Sequence, residues 1–191
     1  MFTIEEMNDK INKKNRTTNK IIYSVGENDE CYTPSWAVKA ILEYIPKEAI
    51  IWCPFDTVKS KFVQIIQKTN KVIFSHIENG ENFYTHEPKE HWDIIISNPP
   101  FSNKKEIFER AFSFNKPFAL IMSVTWLNDS SPKILWKKHN SDMQLMLFDE
   151  RMRFYAPNGE KMGSPTFGSA YFCRDFLPKQ IVLYEEKSSL F

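Results

Sequence analysis

The segment with the clearest chemistry is Asn98-Pro99-Pro100-Phe101, which follows the apolar run 93–97. The exocyclic amine of a nucleobase is a poor nucleophile because its lone pair is delocalised into the ring. Two hydrogen-bond acceptors, one for each N–H, favour a tetrahedral nitrogen, and the Asn98 side-chain carbonyl and the Pro99 backbone carbonyl are candidates for them. Proline has no N–H to compete and holds the preceding residue extended. The tetrapeptide is therefore a candidate site for group transfer to a base amine.

Phe101 offers an aromatic face on which an extruded base can stack. Methyl transfer from a sulfonium donor to that amine needs no titrating general base and rests mostly on positioning. The structural alternative is that Pro-Pro ends a strand and that Asn98 is a turn residue. Hydrolysis has weaker support, because 123–126 has no acid or base at nucleophile spacing and no G-x-S-x-G motif occurs.

Alternating apolar and amphipathic segments predict the elements that position the tetrapeptide. Strands are predicted at seven apolar runs: 50–53, 71–75, 93–97, 117–124, 143–148, 169–174 and 180–184. Helices are predicted at 34–44, 58–68 and 103–114. Thr33 is the expected cap of the first helix, with Pro34 at its first position, and Val58 should face inward in the second. This pattern indicates an α/β fold with a mostly parallel sheet, helices on both faces and antiparallel late strands at one edge, so ligands should lie at the carboxyl ends of the strands.

Length and composition fit an intracellular protein with one domain at 28–191, preceded by a polar arm or helix at 1–27. The 191 residues carry 25 Lys and Arg against 24 Asp and Glu, so the net charge of +1 supplies no global field toward nucleic acid. No apolar run approaches the roughly 18 residues of a membrane helix, and no signal-peptide core is found. Cys31, Cys53 and Cys173 lack C-x-x-C spacing, so we expect buried thiols, no disulfides and no metal site.

Three blocks between residues 28 and 175 resemble DNA adenine-N6 methyltransferases of the S-adenosylmethionine-dependent, Rossmann-like class, specifically the small phage and prophage type. The first block is 28–38, which contains Tyr32-Thr33-Pro34. The second is 93–101, with its Asn-Pro-Pro-Phe signature. The third runs from 151–154 to 168–170 and is similar to the aromatic hairpin that holds the other side of the flipped base.

The resemblance implies S-adenosylmethionine as cofactor and a role for each matching position. The catalytic residues would be Asn98, Pro99, Pro100 and Phe101, with Phe154 as the second aromatic on the base. Tyr32, Thr33 and Pro34 would line the methionine end of the cofactor. The remaining expected cofactor contacts follow the first two strands and are Pro54, Phe55, Asp56, His76, Ile77, Asn82 and Phe83.

The sequence departs from the family pattern in three places. The loop at 53–59 replaces a glycine-rich loop and contains no glycine. His76 stands where the family has an acid that binds the ribose hydroxyls, and Asn82 stands where an acid contacts the adenine amine. Asp56 has two open interpretations, contact with the methionine amine of the cofactor or capping of the helix that begins near Val58.

Cations near the expected ligand edge are candidates for phosphate contacts. They are Lys133, Lys137 and Lys138 in the segment 125–141, together with Arg151 and Arg153. Trp126 is a candidate wall of the site, and the segment 155–166 has a plausible turn at Asn158-Gly159 that could reach a groove. The alternative for 125–141 is a short amphipathic helix with Ile134 and Trp136 partly buried and its lysines solvated.

The leading hypothesis is transfer of a methyl group to the N6 amine of adenine in DNA after base flipping. The alternatives are a weak or inactive methyltransferase-like module that binds nucleic acid or a host defence protein, and an enzyme that methylates an RNA adenine. The expected setting is the cytoplasm of a bacterial host, with a phage or prophage origin and a role in restriction-modification.

Overall fold

A seven-stranded sheet organises the fold in the computed structural model, which describes residues 33–155 and 167–185. The seven strands are β1 (Ile51–Cys53), β2 (Val72–Phe74), β3 (Ile94–Ser97), β4 (Phe118–Ser123), β5 (Gln144–Phe148), β6 (Ser169–Arg174) and β7 (Ile181–Tyr184). Within these two ranges the α-helices are α1 (Ser35–Leu42), α2 (Lys61–Ile66), α3 (Lys104–Ser113) and α4 (Ser131–Lys138). Two 3-10 helices cover Ile77–Asn79 and Val124–Asn128. The seven predicted strands are therefore all confirmed.

The strand order is β2-β1-β3-β4-β6-β5-β7. Strands β2, β1, β3 and β4 are mutually parallel, and β6 lies antiparallel between β4 and β5. The predicted α/β fold class, a mostly parallel sheet with an antiparallel element near one edge, is confirmed. The last strand differs in detail, because β7 passes over to pair in parallel with β5 rather than antiparallel with β6.

Side chains alternate between two apolar clusters on opposite faces of the sheet, as a strand's period of two requires. In β3, Ile94 and Ile96 join the cluster that contains residues of α1 and α2, whereas Ile95 joins the cluster that contains residues of α3 and α4. All four residues of β3 are buried, so this strand is covered on both faces. Burial on both faces explains why the central strands read as continuous apolar runs.

Two helix boundaries predicted from the sequence are wrong. Helix α2 begins at Lys61 and not near Val58, because the hydroxyl of Ser60 accepts a hydrogen bond from the Phe62 N–H and so forms the N-cap; Val58 is 61% exposed. Helix α1 begins at Ser35, one residue later than predicted. Pro34 has an extended ψ of 145° and is the N-cap in place of Thr33.

Helix α4 differs from its predicted amphipathic pattern, since Ile134 is 62% exposed while Trp136 is fully buried.

Within 33–155 and 167–185, no helix is long and apolar enough to span a membrane. Cys53 and Cys173 are buried free thiols, as predicted; Cys31 and the arm at 1–27 lie outside the described residues.

Candidate functional site at the carboxyl edge of the sheet

The Asn98-Pro99-Pro100-Phe101 segment leaves the centre of the sheet at the carboxyl end of β3. Neighbouring strands β1 and β4 run parallel to β3, so the loops after all three strands meet at this edge. Asn98 is half-buried, Pro99 is buried and Pro100 is exposed. The segment therefore lies at the position where open α/β sheets bind their ligands.

Three phenylalanines form an aromatic cluster beside Asn98: Phe101, Phe154 and Phe167. The ring centroids of Phe101 and Phe154 are 6.1 Å apart at an interplanar angle of 82°, and those of Phe101 and Phe167 are 5.8 Å apart at 53°. Phe101 is half-buried and Phe154 is 7% exposed. The fold thus brings together the second and third blocks singled out in the sequence. Because a base between two parallel rings needs roughly 7 Å between them, these rings must rotate or separate before a base can enter.

Asp56, in the glycine-free loop after β1, is buried and hydrogen-bonded through both carboxylate oxygens. Its Oδ2 accepts a hydrogen bond of 2.5 Å from the Ser97 hydroxyl, and its Oδ1 accepts one from the Ser60 hydroxyl. The Asp56 backbone N–H donates to the Ser75 carbonyl at 3.2 Å. One residue therefore joins the ends of β1, β2 and β3 to the start of α2.

Burial raises the pKa of Asp56 to about 6, because desolvation disfavours the charged carboxylate. The hydrogen bonds from Ser60 and Ser97 and the nearby charge of His76 oppose this shift. Burial and the Asp56 carboxylate likewise raise the pKa of the Cys53 thiol well above its usual value. Two hydroxyls therefore donate to the Asp56 carboxylate, and Ser60 is itself the cap residue of α2. Each carboxylate oxygen keeps a further lone pair, so contact of Asp56 with the methionine amine of a cofactor stays a prediction.

The residues after β2 form the second part of the site. Ile77 is 65% exposed, and the His76 Nδ1 accepts a hydrogen bond of 3.3 Å from the Glu78 N–H. The Asn82 Oδ1 accepts from the Tyr84 N–H at 3.0 Å, and a carbonyl oxygen has a second lone pair for a ligand. An exposed aliphatic side chain and a carbonyl acceptor in the same loop suit the adenosine part of a cofactor.

The two aromatic residues expected at the cofactor are less exposed. Phe83 is buried, with its ring 4.7 Å from that of half-buried Phe55 and 5.6 Å from that of Trp52. Phe83 is therefore part of the core. Pro54 is also buried. Contact of these residues with a cofactor stays a prediction.

On the opposite side of the edge, Thr33 and Pro34 are buried at the start of α1. The Tyr171 hydroxyl donates to the Ala37 carbonyl at 3.1 Å and holds α1 against the sheet. Tyr32, the remaining member of that block, lies outside the described residues, as does the predicted turn at Asn158-Gly159.

The predicted cations fall at two different places. Arg151 and Arg153 are exposed and follow β5 at the carboxyl edge, alternating with buried Met152 and Phe154. Lys133 is exposed in the first turn of α4.

Lys137 and Lys138 end α4, next to residues at the opposite, amino edge of the sheet. The Lys138 Nζ lies 3.4 Å from the Glu109 Oε1, and the following residue, His139, stacks on Phe112 at the end of α3. The fold therefore does not bring these two lysines to Asn98.

Trp126, the expected wall of the site, is a core residue. It is 1% exposed, its ring lies 4.7 Å from that of Phe108, and its Nε1 donates to the Ser131 hydroxyl at 2.9 Å. In the described ranges, no group of three His, Cys, Asp or Glu side chains could hold a metal ion.

Sequence reasoning missed Ser60, Ser97 and Phe167. Ser97 and Ser60 are ordinary small polar residues in the sequence, and their importance comes from the shared contact with Asp56. The signal that was present is weak: Ser97 is the one polar residue of the otherwise all-isoleucine strand β3.

Comparison with known proteins finds similarity of overall fold at low sequence identity. No family model and no curated protein sequence matches the chain. A Thermoplasma acidophilum protein is 10% identical at a TM-score of 0.42, covering 86% of this chain and 98% of its own. A putative class I S-adenosylmethionine-dependent methyltransferase from Listeria monocytogenes is 12% identical at a TM-score of 0.44, and the match covers 93% of this chain and 73% of the Listeria chain. A TehB-like S-adenosylmethionine-dependent methyltransferase from Corynebacterium glutamicum is 10% identical at a TM-score of 0.35, and the match covers 89% of this chain and 99% of the Corynebacterium chain.

Proposed function

We propose that the chain transfers a methyl group from S-adenosylmethionine to the N6 amine of an adenine in DNA. The observation that carries the proposal is the position of Asn98-Pro99-Pro100-Phe101 at the carboxyl end of the central strand β3, with Phe101 in contact with Phe154 from the third block. Acceptors for an amine and an aromatic surface for its ring then lie side by side.

Separate residues would bind the target amine, the base and the cofactor. The Asn98 side-chain carbonyl and the Pro99 backbone carbonyl accept the two N–H groups of the target amine and orient its lone pair. Phe101 and Phe154 separate and stack on the extruded base, which excludes water from the amine. Bound S-adenosylmethionine supplies an electrophilic methyl group on a sulfonium centre. Ile77 and Asn82 would hold its adenosine part, and Thr33 and Pro34 would lie near its methionine part.

The phosphate contacts are proposed for Arg151 and Arg153, because both are exposed on the same edge as Phe154. Lys133 is a further candidate at the start of α4. These contacts would position a strand without reading its sequence.

The first test is calorimetric titration of the purified protein with S-adenosylmethionine and with its demethylated product. Binding in the micromolar range, about −8 kcal/mol, is the expected result, because the contacts proposed for Ile77 and Asn82 do not depend on a glycine-rich loop. Absence of binding at millimolar cofactor, with and without DNA, would contradict the enzyme and favour a module that binds nucleic acid or a host protein. An RNA adenine as substrate would appear as methyl transfer to RNA and none to DNA.

A further inference from the structure

A buried chain of hydrogen bonds runs directly behind the Asn98 segment. The Ser97 hydroxyl donates to the Asp56 Oδ2 at 2.5 Å, and the Ser60 hydroxyl donates to the Asp56 Oδ1. Ser97 is the residue before Asn98, and its side chain is fully buried. A change in this contact therefore acts on the backbone that carries the amine acceptors.

We propose that Asp56 is a positioning residue, which tethers Ser97 and so fixes the orientation of the Asn98 side chain and the Pro99 carbonyl. This inference rests on the proposed function for its catalytic meaning, but the tether itself is a property of the fold. The loop after β1 thus stabilises the end of β3 through the Asp56 side chain.

The geometry favours a tether over a simple helix cap. Ser60 alone caps α2, since its oxygen accepts from the Phe62 N–H at 3.2 Å while its proton goes to Asp56. A cap does not need the second carboxylate oxygen, yet that oxygen is committed to Ser97, on a different strand. Two donated hydroxyl protons also match an ionised carboxylate, which only accepts hydrogen bonds.

The groups that face this carboxylate come from every element packed against it. They are the hydroxyls of Ser60 and Ser97, the Cys53 thiol on β1, His76 after β2 and the Tyr171 phenol on β6. The charge of His76 also acts on the Asp56 carboxylate. A pH profile must therefore be compared between wild type and a variant that keeps His76.

The test follows the side-chain amide signal of Asn98 by NMR in 15N-labelled full-length protein, assigned through its loss in Asn98→Asp. Ser97→Ala removes the tether and leaves the cap in place, so we expect the Asn98 signal to shift and broaden. Ser60→Ala is the matched control: it removes a hydroxyl from the other carboxylate oxygen, so the thermal midpoint should fall and the Asn98 signal should change less. An Asn98 signal in Ser97→Ala that matches wild type overturns the proposal.

Kinetics supply the second readout. Ser97→Ala should lower kcat by about ten- to a hundredfold and leave the cofactor dissociation constant within about twofold, because the cofactor side is untouched. We expect kcat of wild type to rise through pH 6 as Asp56 ionises, and Asp56→Asn, which keeps His76, should lose this rise. Equal kcat in Ser97→Ala and wild type contradicts the tether. If wild type transfers no methyl group, the proposed function fails, and the NMR comparison still decides the tether.

Discussion

The two edges of the sheet use aromatic side chains in different ways. At the amino edge, the ring of His139 stacks flat on Phe112 at 4.4 Å, and the guanidinium of Arg174 lies 5.3 Å from the centre of the same ring. Lys116 lies 3.9 Å over the Trp92 ring in the same region. At the carboxyl edge, Phe101 meets Phe154 edge-to-face at 82° and Phe167 at a tilt of 53°, and among the described residues no cation lies over these rings.

Aromatic residues whose ring faces are covered by the protein's own groups have a structural role. Flat stacking and cation contact use up ring faces with groups of the protein itself, which stabilises the amino edge. Edge-to-face contact occurs at both edges, for example between Phe112 and Phe118 at the amino edge. Half-buried Phe101 differs because, within the described residues, no stacked ring or cation lies over its face, so its ring can rotate to meet a base.

The largest effect is expected for Asn98→Ala at the carboxyl edge. Loss of the side-chain acceptor removes orientation of the amine, so methyl transfer should fall by more than about a hundredfold. Because Asn98 is only half-buried, thermal unfolding should stay close to wild type. Initial rates of tritium transfer, with circular dichroism melts on the same samples, measure both. Unchanged transfer in a folded variant would remove Asn98 from the mechanism.

Phe101→Ala should weaken capture of the base by about 1–3 kcal/mol, the usual contribution of one stacked base. The matched control is Phe114→Ala, since Phe114 is also half-buried but sits at the amino edge among Trp52, Trp92 and Arg110. Binding of an oligonucleotide with 2-aminopurine at the target position, followed by fluorescence, measures extrusion. The comparison between edges breaks if Phe114→Ala lowers extrusion as much as Phe101→Ala.

A smaller effect separates the two groups of cations. Arg151→Gln with Arg153→Gln should reduce the slope of log affinity against log salt for DNA by about 1–2, as expected for one or two lost phosphate contacts. Lys137→Gln with Lys138→Gln should change that slope less, because the end of α4 lies beside α3 at the amino edge. Filter binding over a salt series gives both slopes. A larger change of slope in the lysine variant than in the arginine variant would place the phosphate contacts on α4.

The misplaced lysines show where sequence reasoning stops. The apolar runs located all seven strands, because buried strands need continuous apolar residues, and the polar residues after β3 marked the carboxyl edge. However, the eight residues of α4 carry the chain about 12 Å, at 1.5 Å per residue, from one edge toward the other. Proximity in sequence to a strand end therefore did not show that Lys138 lies against Glu109 of α3, and phosphate contact by Lys133 stays a prediction.

Tertiary contacts explain the rest of what the sequence left open. The contacts of Asp56 could not be predicted from its loop alone, because its partner Ser97 is distant in sequence and adjacent in the fold. The start of α2 moved to Lys61 because Ser60 is the N-cap, its hydroxyl also donating to Asp56. The core role of Trp126 likewise required Phe108 on one side and Phe172 on the other.

The smallest effect concerns pH and stability. The pKa of Asp56 is raised to about 6 in the folded protein from about 4 when unfolded, so the folded state binds more protons between these values. The free energy of unfolding therefore loses up to about 1.4 kcal/mol per pH unit as pH rises from about 4 to 6. Asp93 acts in the opposite direction, because the Ile50 N–H lowers its pKa. Urea unfolding of wild type and Asp56→Asn across this range should differ by that slope, and parallel curves would contradict it.

Catalysis by the Asn98 segment at the carboxyl edge is tested most directly by mass spectrometry of nucleosides after incubation with S-adenosylmethionine and adenine-containing DNA. Wild type should produce N6-methyldeoxyadenosine, Phe114→Ala should produce it at a similar rate, and Asn98→Ala should produce almost none. No methylated nucleoside from wild type that binds both cofactor and DNA, or equal product from wild type and Asn98→Ala, would contradict a catalytic carboxyl edge.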